Sequence, residues 1–233
     1  MAKRASFWTA LFFSAFVVAP VMASNGIDHR PPKFGPCHIR GSKLLFHDAQ
    51  VLIVKGLPLP TPTGPIQGTF RKLYSCTPHG RAHFVISIGY VGEDDQQDLD
   101  HVTLAGNFGA FHVTSGVMQT DIFGNVDVFN LAKGRLVAQD VATSDYNSPL
   151  TALVLNRAGT AAWTYSSWID QATNTTYPAG QPGAPVSLYG ASLTHKATQL
   201  GLGVIDPASV SVSSTTVSWT DAGVPQQKDL SSP

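Results

Sequence analysis

His83-Phe-Val-Ile-Ser-Ile-Gly-Tyr-Val91 is the stretch that decides the fold. It is too short for a typical helix, it is rich in β-branched and aromatic residues, and it lies between turn-forming Thr77-Pro-His-Gly80 and the polar run Gly92-Glu-Asp-Asp, so it reads as a strand. A strict period of two puts Phe84, Ile86, Ile88 and Tyr90 on a core face and His83, Val85, Ser87 and Gly89 on the other.

The same kind of segment recurs in both directions. Upstream, Lys43 to Val54 holds one or two strands and Thr69 to Tyr74 another. The intervening Pro58, Pro60, Pro62 and Pro65 lack the backbone donors that a central strand needs. Downstream, Gly92 to Asp100 reads as a polar acidic loop before a strand at 101–105. Phe108 to Met118 is rich in β-branched and aromatic residues, and strand 111–120 is expected to turn back onto strand 126–130 through a hairpin tip at Asp121 to Asn125, with Gly124-Asn125 as the turning pair; Arg135 to Val141 adds a strand.

Leu150 to Leu155, Arg157-Ala-Gly159 and Thr160 to Ser166 read as a second hairpin, with Trp163 and Tyr165 on one face as core aromatics. Val186 to Tyr189 and Val210 to Trp219 are β-prone, and 195–202 fits either a short helix or a strand. With many short strands and almost no amphipathic helix, the expected fold is all-β: an antiparallel β-sandwich, with a β-barrel as the alternative.

The expected organisation is a signal peptide at 1–23, an irregular lead-in at 24–42, a main β domain at 43–169 and a loop or linker at 170–185. C-terminal strands at 186–219 then belong to the same domain, and 220–233 is a flexible tail. The leader rests on Lys3 and Arg4 followed by an apolar run from Phe7 to Val18 and small residues up to Ala23. Pro20 and the short apolar core argue against a retained anchor. Cleavage after Ala23 implies a secreted or periplasmic protein with no integral membrane span.

Lys3 and Arg4 are two of the 15 basic residues; with 15 acidic residues all beyond the leader, the remainder has a formal charge of −2. No basic run follows the leader, so no nucleic-acid partner is expected. The two cysteines, Cys37 and Cys76, suit a disulfide in an oxidising compartment. Closing a loop of roughly 40 residues would remove about 4 kcal/mol of unfolded-state entropy.

Eight histidines lie beyond the leader. His79, His83, His101 and His112 fall on or beside neighbouring strands and form a candidate zinc or copper site. Glu93, Asp95, Asp98 and Asp100 offer hard oxygen ligands for calcium, though without the twelve-residue calcium-loop pattern. Asn174-Thr-Thr176 matches the glycan acceptor pattern. Trp168 and Tyr177 offer faces for sugar stacking, and a Ser87, His112, Asp127 triad can be assembled only on paper. There is no nucleophile elbow, no phosphate-binding glycine motif and a single Glu.

These features favour a non-catalytic binding or surface module over an enzyme, with no cofactor required. Its partner would be a small molecule, a polymer or a protein on the extracytoplasmic side, and the β-prone C-terminal segment offers a route to oligomers. The alternative is a small secreted metal-dependent enzyme or metalloprotein using the clustered histidines.

Overall fold

The computed structural model describes residues 39, 41–48, 50–58, 68–77, 81–91, 95–117, 121–140, 149–166, 169–170, 175–176 and 185–231, all within one unit spanning 34–233. The expected signal peptide and most of the expected lead-in lie outside them. The first sheet contains β1 (Lys43–His47), β2 (Leu52–Pro58), β3 (Gly68–Cys76), β4 (His83–Val91), β5 (Asp95–Ala105), β6 (Phe108–Val117), β7 (Asp121–Asn130) and β8 (Arg135–Gln139). They run as an antiparallel meander in chain order. Next come β9 (Leu150–Leu155), β10 (Ala161–Ser166), the two-residue pair β11 (Ile169–Asp170) and β12 (Thr175–Thr176), β13 (Val186–Ala191) and β14 (Thr198–Gly203). The second sheet has the order β14-β13-β10-β9. A 3-10 turn at Pro207–Ser209 leads to β15 (Ser211–Ser213), β16 (Thr216–Asp221) and β17 (Val224–Asp229), which make a three-stranded sheet.

The fold is all-β and antiparallel, as expected, and its sheets stack as layers. β10 explains how. All six of its residues are buried. Ala161, Trp163 and Tyr165 pack against Ala110, Val126, Val128 and Ala138 of the first sheet. On the opposite face, Ala162 joins Val186 and Leu188 against Val210, Val217, Trp219 and Leu230 of the C-terminal layer. Alternation sends odd and even residues to opposite faces, so one strand with no exposed face serves two cores.

The other face of the first sheet closes on itself. β3 and β7 are four strand spacings apart, about 19 Å if the sheet were flat. Yet the Ser75 hydroxyl donates to the carbonyl of Leu131, just beyond β7, at 2.8 Å. Ile53, Leu73, Val85, Phe111, Phe129 and Leu131 accordingly form one buried cluster, so the meander is strongly curled. At the same end of the strands, Asp48 in the β1–β2 turn accepts from Gln50 N and Val51 N at 2.7 Å, and from Gly106 N in the β5–β6 turn at 3.0 Å. The sheet does not close into a barrel: among the described residues β1 and β8 are its two edges.

Four local expectations are corrected. Leu73 pairs with Ile86 but Tyr74 pairs with Phe84, so Val85 is an extra residue in β4, a β-bulge. Val85 is therefore buried, while Phe84 is 49% exposed under the Lys72 ammonium. Gly124-Asn125 is not a turn: both lie inside β7, paired with Thr114 and Val113 of β6. The acidic run is not loop throughout, since β5 begins at Asp95 and hairpin pairing outweighs its weak β propensity. The C-terminal tail is not free: β17 pairs along β16 and Leu230 is fully buried. The undecided segment at 195–202 contributes strand β14, paired with β13.

Candidate functional site

The site grows from a second bulge. Along β6, Phe111 and Val113 face the curled core, and Ala110 and His112 face β10. Leu99 of β5 stands opposite Val113, and Val102 opposite Phe111; both pack into the same curled core. Regular alternation would put one residue between them, and there are two. His101 pairs with His112, leaving Asp100 as the inserted residue. The bulge turns Asp100 and His101 together onto the face of His112, a re-aiming that strict alternation forbids.

The His112 Nδ1 lies 2.5 Å from Asp100 Oδ1, and the His101 Nδ1 is 3.4 Å from the same oxygen. The imidazole rings stand edge to face with centroids 6.2 Å apart. One donor atom from each of the three residues lies within 4.8 Å of the others. Solvent reaches only one side: the side chains of Asp100 and His101 are 45% and 54% exposed, that of His112 only 4%.

Burial pushes the Asp100 carboxyl up, but the hydrogen bonds and positive charge of His112 and then His101 outweigh it and hold the group below the usual carboxylate range. An ionised carboxylate can only accept, so His112 Nδ1 carries the donated proton. In the neutral ring the lone pair then sits on Nε2. That atom is closed to solvent and has no hydrogen-bond partner. It points at Gly124, where an added β-carbon would stand 2.6 Å away. The Tyr165 ring packs against the His112 ring at 5.8 Å, and its hydroxyl is likewise buried and unpartnered. Burial, helped by the negative field of Asp140, pushes the phenol far up, so it stays protonated.

An aspartate–histidine pair resembles the base of a hydrolytic dyad, but here the free nitrogen faces packed interior and cannot reach an external substrate. What solvent does meet is the Asp100 carboxylate and the His101 imidazole, with the buried His112 Nδ1 directly behind them; this set of one carboxylate and two imidazoles suits a borderline transition metal.

The other candidates are placed elsewhere. His83 pairs with Ser75, which pairs with Ile53 on the curled-core face, and its β-carbon packs against Gly134; it is on the opposite side of the sheet from His101 and His112. His79 lies outside the described residues. Of the four carboxylates considered for calcium, only Asp100 enters the cluster. Asp98 is exposed opposite Thr114, Asp95 begins β5, and Glu93 lies outside the described residues.

The paper triad is split, because Asp127 pairs with Phe111 and turns away from His112. It accepts from Asn125 Nδ2 at 2.7 Å, and burial raises its carboxyl despite that bond. Cys76 is wholly buried at the end of β3; Cys37, Asn174, Trp168 and Tyr177 lie outside the described residues. A shallow groove beside Ser209, Trp219 and Gln226 offers little stacking surface, since Trp219 is only 8% exposed. Sequence reading missed the partnership of Asp100 with His112. The signal was present in the spacing of Leu99 and Val102, a step of three in an otherwise alternating strand.

No protein-family model matches the chain, and no curated protein is significantly similar to it.

Proposed function

We propose that the chain is an exported, non-catalytic β module, secreted or periplasmic, that binds a ligand through the β5–β6 face carrying Asp100, His101 and His112. The observation that carries this reading is the bulge at Asp100. It aims three chemistry-bearing side chains at one half-open spot on paired strands, where backbone hydrogen bonds hold them rigidly. The enclosure of His112 Nε2 favours binding over general-base catalysis.

The leader at 1–23 supports export, and so does the cysteine pair: Cys76 is buried and no described cysteine is free, which suits a Cys37–Cys76 bridge made outside the cytosol. Expression with the native N-terminus followed by cell fractionation and intact mass tests the reading. The expected product is extracytoplasmic, starts at Ser24 and shifts by two hydrogens on reduction. A full-length product held in the cytosol with two free thiols would refute it.

A further inference from the structure

We infer that Asp100, His101 and His112 hold a divalent transition-metal ion of the zinc class, with the Asp100 carboxylate and the two imidazoles as donors and solvent in the remaining positions. This rests on the binding face proposed above and names its ligand.

Three observations converge. The donor atoms already lie within 4.8 Å of one another, and donors around a tetrahedral zinc at ~2.0–2.1 Å stand ~3.3 Å apart. The adjustment required is an opening of the 2.5 Å approach of Asp100 to His112 together with a turn of His101, and it falls on two half-exposed side chains, 45% and 54%. Second, the donor set is mixed nitrogen and oxygen, which suits zinc better than calcium, a cation that takes six to eight oxygens.

Third, His112 is 4% exposed and has one ring nitrogen with no partner in the interior. An apolar residue would fill that position without leaving a polar atom unpaired. The imidazole is accounted for by what its other nitrogen holds at the mouth of the site. Gly124 contributes by leaving room for the ring.

On binding, the ion takes the place of the proton between His112 Nδ1 and Asp100, and the neutral ring changes tautomer: the Nδ1–H bond breaks, an Nε2–H bond forms, and no net proton is released. The ring stays neutral and no redox step is involved. With the expected cleavage and one open side, the site is reachable by metal from the extracytoplasmic solution.

The test uses the mature, tag-free chain, dialysed against chelator and titrated with Zn²⁺ by calorimetry, with Co²⁺ absorption as a report on the donor set. The expected result is one equivalent bound with a Kd on the order of micromolar. Asp100→Asn and His101→Ala should each weaken binding by about tenfold or more with an unchanged circular dichroism spectrum. His195→Ala, away from the cluster, should leave it unaltered. Because Asp100 and His101 are half exposed, these variants do not depend on repacking a core. No heat of binding up to roughly 1 mM Zn²⁺, or an equivalent site surviving His101→Ala and Asp100→Asn, would overturn the inference. An exported, disulfide-linked chain that binds no zinc would refute the metal while sparing the exported module.

Discussion

The His112 ring occupies the space that a β-carbon on Gly124 would need: Nε2 and that carbon would stand 2.6 Å apart. Gly124 lies within β7, diagonal to His112 across the β6–β7 pairing, and its φ is not in the left-handed region. The glycine is therefore required by close approach and not by the backbone. Gly124→Ala should cost about 1–3 kcal/mol by overpacking, read as a lower urea midpoint at unchanged slope. It should also tilt the ring away from Asp100. Gly124→Ala at full wild-type stability would show that the ring has room to move.

Two carboxylates of the first sheet should respond to acid in opposite senses. Asp100 is held below its ordinary value, so its contribution to stability is present above the unfolded-state pKa and is lost as pH falls through the lower folded value. Asp127 is raised by burial. Between its unfolded and folded values the native state binds more protons, so stability falls as pH rises through that window. Urea midpoints between pH 2 and 7 should therefore show Asp127→Asn gaining relative to wild type as pH rises from acid to neutral. Asp100→Asn should lose relative to wild type over the same direction. The same pH response in both variants would contradict the assigned environments.

The curl of the first sheet depends on a small number of polar ties at one end, and Asp48 is the one with most donors. Its two oxygens accept three backbone N–H groups from two different turns. Asp48→Ala leaves those donors to solvent and separates the β1–β2 turn from the β5–β6 turn. A loss of about 1–3 kcal/mol is expected, with Asp48→Asn in between because its amide keeps one accepting oxygen. Faster amide exchange at Gly106 in Asp48→Ala would locate the effect; unchanged exchange there would remove the tie from the account.

Layering was readable because it follows from alternation. Trp163 and Tyr165 fall two residues apart in a β-prone run beside a turn-forming Asn156 to Thr160, and their burial needed only that spacing. What alternation could not show is where it is interrupted. Val85 and Asp100 are each one residue too many for their partner strands. Each insertion exchanges the faces of all residues beyond it, which put Phe84 in solvent and Asp100 beside His101. The curl was hidden for another reason. A contact such as that of Ser75 with Leu131 joins strands far apart in both sequence and sheet order, and no local pattern encodes it. His83 illustrates both limits, since its parity and its neighbour Gly134 depend on a bulge and on the curl.

The C-terminal layer gives the last prediction. Val224–Asp229 is exposed along its whole length and polar in composition, which is why the sequence reads as a fraying tail. Its anchor is the residue that follows. Leu230 is fully buried in the cluster with Leu188, Val217 and Trp219, and its carbonyl accepts from the Ser192 hydroxyl at 2.8 Å. The amide of Leu230 in turn donates to Thr215 O at 2.9 Å. Leu230→Ala should cost about 2–5 kcal/mol, whereas Val224→Ala, 56% exposed, should change stability by less than about 0.5 kcal/mol. Stopping the chain after Asp229 should have at least the effect of Leu230→Ala, because it removes the buried side chain and the accepting carbonyl together. Equal urea midpoints for the truncated and full-length chains would return residues 224–231 to the status of a tail.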